Sequence, residues 1–282
     1  MNNELIIEKI NTAFPEIKWK EYRIENSGWN SYAVILDESF VFLLPKRDED
    51  KNVFCETVEL LDFLHSKIDI KIPEICLKSK DLKIIGYPYL SGPILSSELI
   101  QEMSLSERKI LEKQVAKFLY SLHSIIPNKK LESICKTRSQ INENVILENG
   151  VNNKLKNYLS SYEIRKIKVY LNELKNININ SNVLLHGDFG IWHIIWNDNE
   201  LSVIDFGEWG YGDPAYDFCS LFDHPEFAKN ILDEYLIYSG TDNIYERILF
   251  YKKRNFIFDM IDSIDGFPVN FDEAYYEFQR NF

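Results

Sequence analysis

The chain has 282 residues, of which 45% are hydrophobic, 14% aromatic and 27% charged, and its formal net charge is −12 at pH 7. That length allows one large domain or two lobes sharing a cleft, and the aromatic share promises a sizeable core. The acidic balance argues against a nucleic-acid interface, which needs clustered Lys and Arg, and it suits either a cationic small-molecule ligand or plain solubility.

Met1-Asn2-Asn3-Glu4 is polar and Glu8 and Lys9 interrupt the first apolar stretch, so no secretory leader is expected. No run of about 18 apolar residues is present to span a membrane. Cys55, Cys76, Cys135 and Cys219 are far apart with no Cys-x-x-Cys pair. That usage predicts free thiols in a reducing cytoplasm and small core side chains.

In chain order, Leu5, Ile6, Ile10 and Phe14 suit a short helix stopped by Pro15. Residues 32–36, a polar turn at 37–39 and residues 40–44 read as a hairpin of two apolar strands, ended by Pro45. Val53, Phe54, Val58, Leu61 and Leu64 recur with a helical period over 53–66, and Glu56 lies on that helix. Residues 83–87 predict another strand, followed by a connector at 88–93. Beyond residue 95 the character changes to long amphipathic stretches, 105–125 and roughly 152–175. Short strands at 183–185, 194–196 and 201–204 come next, and helix fills 226–281. No internal repeat or low-complexity tract is present. The expected class is α+β, with a small antiparallel-sheet lobe at 1–90 and a larger helical lobe at 91–282.

Five of the eleven glycines fall between Gly187 and Gly212, where the backbone must turn tightly. The same segment reads His186-Gly187-Asp188, then His193, then Ile204-Asp205-Phe206-Gly207, then Asp213 and Asp217. Phosphoryl transfer needs positioned groups more than covalent help: an oriented hydroxyl, metal-neutralised phosphates and a closed cleft. Asp188, at the end of the strand 183–185, is the candidate base. The hairpin 194–204 is expected to fold Asp205 back beside His193, where the two could hold a metal. Magnesium prefers oxygen ligands, so a His193 imidazole that simply hydrogen-bonds the loop is the alternative. Asp213 and Asp217 are expected to anchor the loop and a helix start, and His65, His123 and His224 to lie in packing or solvent.

From Asn255 to Gln279 there is no Lys or Arg, while Asp259, Asp262, Asp265, Asp272, Glu273 and Glu277 alternate with Phe256, Phe258, Tyr275 and Tyr276. Carboxylates among aromatic rings suit a polyamine-like ligand through charge-assisted hydrogen bonds and cation–π contact. A solvated helix face is the plainer reading.

These motifs, with their order and spacing, resemble the aminoglycoside O-phosphotransferase family, whose fold is related to that of protein kinases. Gly28-Trp29-Asn30, residues 40–46, Glu56 with Leu60 and Leu61, residues 118–125 and the acidic aromatic C-terminus resemble the 2″-phosphotransferase branch. The resemblance implies ATP or GTP as phosphate donor, Mg²⁺ held by His193 and Asp205, and Asp188 positioning a hydroxyl of a cationic antibiotic, conferring resistance. It further implies that the Pro88 carbonyl and Leu90 amide hydrogen-bond the purine and that Ile204 packs beneath it. Glu56 would be the carboxylate that pairs with a phosphate-gripping lysine. Asp259, Asp262, Glu273 and Glu277 are the candidate substrate contacts. The protein is expected to act as a monomer, without nucleic acid or membrane. A macrolide or other alcohol as substrate, or a kinase-fold binding protein with little turnover, are the alternatives. The chain departs from the family at Leu43, where a Lys or Arg belongs. Lys46, three residues on, is expected on the opposite face of the strand unless a bulge redirects it.

Overall fold

The computed structural model describes residues 2–26, 28, 30–47, 53–135, 140–176, 182–240 and 244–282. Trp29 of the Gly-Trp-Asn motif lies outside them. By contact, the chain forms two compact units: residues 1–121 with 191–208, and residues 122–190 with 209–282. Residues 91–121 and 191–208 thus group with the strand-rich N-terminal residues.

In the first unit, α1 (Asn3–Ala13) begins at Asn2, whose side chain accepts the Leu5 amide at 2.9 Å. Its buried Ile6 and Ile10 face a five-stranded antiparallel sheet of order β1-β2-β3-β5-β4. The strands are β1 (Tyr22–Glu25), β2 (Ser31–Leu36), β3 (Phe40–Pro45), β4 (Leu77–Lys78) and β5 (Ile85–Pro88). Tyr32, Val34, Leu36, Phe42 and Leu44 share the face that packs with Ile6, Ile10 and Phe14, the period-two pattern of a half-covered sheet. The β2–β3 turn puts Asp37 and Glu38 in the left-handed region (φ 49° and 48°). The Asp37 carboxylate accepts the Lys20 and Glu21 amides, which hold its pKa below the usual range. The predicted hairpin is present, with Leu36 opposite Phe40. Sequence reading missed β1, β4 and a short strand at 210–212; all are brief, and β1 is largely exposed, so they carry little apolar signal.

The first unit also holds α2 (Val53–Leu64), α3 (Ser97–Glu102) and the first part of α4 (Leu105–His123). The hairpin β7 (Ile194–Asn197) and β8 (Glu200–Val203) docks on α4. There Trp196 Nε1 donates to Glu107 at 3.0 Å, and Gln114 bonds both the Asn199 carbonyl (2.7 Å) and the Leu201 amide (3.0 Å).

The second unit is mainly helical: α5 (Lys129–Cys135), α6 (Gln140–Asn153), α7 (Ser161–Lys175), α8 (Pro225–Ser239), α9 (Tyr245–Ile264) and α10 (Phe271–Asn281). The strands β6 (Val183–Leu185) and β9 (Gly210–Gly212) pair within it. The single helix expected over 152–175 is instead two. Residues 155–157 make a 3₁₀ turn, and Ser160 with Glu163 forms a capping box that starts α7 afresh. The cysteines also differ from expectation: Cys219 is buried, Cys55 is half-buried and Cys76 is exposed. Burial pushes the Cys219 thiol up to about 12, which makes it inert. Among the described residues, no helix is long and apolar enough to cross a membrane.

Candidate active site

Within the first unit the β7–β8 hairpin does what its sequence predicts. It returns Asp205 to His193, Nε2 to Oδ2 at 3.4 Å, while the Ile204 amide donates to the His193 carbonyl at 3.0 Å. Asp205 has φ 61°, a left-handed conformation that costs a non-glycine residue about 1 kcal/mol or more. The surroundings hold it there. Its Oδ1 accepts the Gly207 amide at 3.3 Å, and the next side chain, Phe206, is buried edge-on against Phe118 at 6.4 Å. The Asp205 carboxylate nevertheless remains 58% exposed, beside a His193 side chain only 12% exposed.

Among the described residues, no group of three or more His, Cys, Asp or Glu side chains is gathered for a metal. One exposed carboxylate beside an imidazole does not make an all-protein cage. It fits a magnesium ion that keeps water and takes most of its oxygen ligands from phosphates. Tyr87, on β5, is buried nearby; burial first, and the Asp205 charge second, push its hydroxyl well above the ordinary range.

The other nucleotide candidates also lie in this unit. Pro88 ends β5 and is exposed, and Leu90, in the connector, is half-buried, as is Ile204. The connector is pinned at both ends: the Tyr89 amide donates to Ser39 at 2.9 Å and the Leu95 amide to Ile194 at 2.8 Å. Gly92 (φ 128°) bends it where a Cβ would sit 2.7 Å from Asn197, so only glycine is accommodated there. Glu56 is half-buried in the first turn of α2. Leu43 stands between Ala33 and Ile85. No bulge redirects Lys46. The β2–β3 ladder is continuous to Ser31 opposite Pro45, and the Lys46 amide extends it to the Asn30 carbonyl at 2.8 Å. Lys46 Nζ donates to the Asn26 carbonyl at 2.7 Å and to that of Gly28, and lies 5.3 Å from the Tyr32 ring centre. Burial lowers its pKa.

Asp188 belongs to the second unit, where it follows β6 after Gly187 (φ 88°). It is half-buried, and its amide donates to His186 Nδ1 at 3.4 Å. The turn is held from beneath by Asp217, whose carboxylate accepts the His186 amide at 2.8 Å and the Gly187 amide at 2.9 Å. His123 Nε2 meets the same carboxylate at 3.1 Å, and Tyr235 Oη meets His123 Nδ1 at 3.0 Å. The Asp217 and His123 side chains are 0% and 2% exposed. His123 is therefore neither solvent-facing nor mere packing. The signal for it was present, a lone histidine ending an apolar helix, but its partner is 94 positions away. Asp213 is the second anchor: it accepts from the Ala215 amide (3.0 Å), Arg247 (2.7 and 3.2 Å) and Tyr251 (3.0 Å).

The four candidate substrate carboxylates divide. Asp259 and Asp262, on α9, repel one another and lie near Asp223 and Asp265. Burial first pushes both up to about 6, helped by the charges of Asp262 and then Asp223 at Asp259 and by that of Asp265 at Asp262. Glu273 is exposed, and Glu277 is taken up within α10 by Arg280 (3.2 Å) and Asn281. A carboxyl whose folded pKa lies above its ordinary 3.8 binds more protons folded than unfolded, so it reduces stability as pH rises from about 4 to about 6. Asp259→Asn is thus expected to stabilise the protein at pH 7.5 by about 1 kcal/mol, discounted for partial exposure, and by about half as much at pH 5. Thermal melts at the two pH values check it; equal shifts at both would contradict the assignment.

Residues 22–251 match the model of the APH phosphotransferase enzyme family. Among solved structures, the GDP and kanamycin complex of APH(2″)-IIIa superposes with a TM-score of 0.83 at 18% identity, over 98% of this chain and 98% of that one. The streptomycin–ATP–APH(2″)-IIa ternary complex gives 0.79 at 23%, over 99% and 97%. The macrolide 2′-phosphotransferase MphH from Brachybacterium faecium gives 0.68 at 15%, over 96% of each chain. At these identities the likeness concerns the fold, and it agrees with the expected α+β class, an antiparallel sheet followed by a mainly helical part.

Proposed function

The chain belongs to the APH phosphotransferase enzyme family, and from that premise we propose that it moves the γ-phosphate of ATP or GTP to a hydroxyl of a cationic aminoglycoside, conferring resistance. The observation that carries this reading is the pairing of His193 with Asp205 at 3.4 Å on a locked hairpin, with Asp188 on a separately anchored turn five residues before His193. In this reading residues 1–90 form the nucleotide lobe and residues 91–282 the lobe carrying the catalytic loop and substrate site. Asp188 accepts and orients the substrate hydroxyl's proton. The Pro88 carbonyl and Leu90 amide meet the purine edge, and Ile204 lies beneath the ring. Glu56 supports the phosphate end. His193 and Asp205 would hold Mg²⁺, which neutralises charge on the phosphates when bound. The aminoglycoside assignment draws on the kanamycin and streptomycin carried by similar structures and on the half-buried Asp259 and Asp262, whose burial and neighbouring carboxylates a bound polycation would offset.

A cation at that pair favours the charged carboxylates, so aminoglycoside affinity should rise with pH between about 5 and 7, where amines keep their charge. The substrate class is tested by comparing kcat/KM for kanamycin- and gentamicin-type aminoglycosides with that for a macrolide. A clear preference for the macrolide would overturn the aminoglycoside reading and keep the phosphotransferase one. One observation favours a second reading, ligand binding with little turnover: Leu43 replaces the expected cation and Lys46 is spent on backbone carbonyls. Tight antibiotic binding with no transfer that depends on Asp188 would support it.

A further inference from the structure

If the nucleotide's phosphates are gripped by a protein cation, neither Leu43 nor Lys46 supplies it. The next residue, Arg47, is exposed and turns elsewhere. Its Nη2 donates to Asn30 Oδ1 at 3.2 Å, and Asn30 Nδ2 donates to Glu208 Oε1 at 3.4 Å. Glu208 closes the Phe206–Glu208 turn that directly follows Asp205. All these residues belong to the first unit. A neutral amide thus bridges a guanidinium and a carboxylate, so that positive charge from the end of β3 is tethered to the loop carrying the candidate metal ligand. The two neighbouring cations therefore have different tasks: Lys46 ties down the carbonyls of residues 26 and 28, while Arg47 is held toward residues 205–208.

We propose that Arg47 is the cation that meets the phosphates of the nucleotide in this chain, positioned by the Asn30–Glu208 relay and serving where Leu43 carries no charge. This rests on the phosphotransferase reading above. A guanidinium suits the role: its charge persists at all working pH values, and its planar fork of donors matches two phosphate oxygens at once. A lysine at position 47 would retain charge and lose the fork.

The test is equilibrium binding of Mg·GTP, Mg·ATP and the corresponding nucleosides to the purified full chain, as wild type, Arg47→Ala, Arg47→Lys, and Arg47→Ala combined with Leu43→Lys, with thermal melts alongside. Arg47→Ala should weaken triphosphate binding at least about tenfold while leaving nucleoside binding and melting unchanged. Arg47→Lys should lose part of this, and Leu43→Lys should restore affinity to the Arg47→Ala protein. Triphosphate affinity unchanged by Arg47→Ala would overturn the inference alone, and so would an equal loss for nucleoside and triphosphate. Wild-type protein that binds no purine nucleotide would overturn the phosphotransferase reading, and this inference with it.

Discussion

Asp188→Asn is expected to lower kcat for phosphoryl transfer by about 10²–10⁴-fold, with nucleotide affinity and melting temperature nearly unchanged. The separation follows from how the turn is built. The backbone at residues 186 and 187 is fixed by the Asp217 carboxylate, and the left-handed conformation at 187 is supplied by glycine. Neither support involves the Asp188 side chain. Asparagine keeps the shape and loses the ability to take a proton, so the variant probes chemistry more than folding. Transfer within about tenfold of wild type would remove Asp188 from the base role.

The second large effect falls on stability. Asp217→Ala should cost about 3–5 kcal/mol, because it strips a fully buried acceptor from the His186 and Gly187 amides and from His123 at once. Two peptide N–H groups and an imidazole are then left to bury their polarity in an apolar setting. Tyr235→Phe removes only the outer bond to His123 Nδ1, and should cost about 1 kcal/mol. Urea unfolding of the two variants gives both numbers. An Asp217→Ala loss below about 1 kcal/mol would show that the carboxylate is not the anchor of the turn. The order matters as well: Tyr235→Phe must be the milder change, since the carboxylate and both amide bonds survive it.

Much of the site was legible in the sequence because its parts are close together in the chain. A strand ending at Leu185, a two-stranded hairpin with an Asn-Asp-Asn turn, and an Asp-Phe-Gly exit are local patterns. Their geometry follows from strand alternation and turn chemistry. The pairing of His193 with Asp205 follows from hairpin closure alone. Contacts across long separations were not legible. Nothing near His123 announces Asp217, and nothing near Arg47 announces Asn30 or Glu208, because side-chain hydrogen bonds between distant segments leave no period to read. The helix expected over 152–175 was misjudged for a different reason. The apolar pattern persists through residues 155–160, but the Ser160–Glu163 capping box marks a new start. The C-terminal acidic residues look alike in sequence and differ in place: α9 half-buries Asp259 and Asp262, while Glu273 stays in solvent and Glu277 is paired within its own helix. Only burial separates a poised carboxylate from a solvated one.

The most direct test of the central claim is the stoichiometry of transfer. Purified protein is incubated with Mg²⁺, ATP or GTP, and either kanamycin or gentamicin, and both products are measured by mass spectrometry. The expected result is an aminoglycoside carrying one added phosphoryl group, formed in equal amount with nucleoside diphosphate and at least about 10²-fold more slowly with Asp188→Asn. Kanamycin and gentamicin recovered unmodified with either nucleotide, while wild-type protein remains folded, would contradict it.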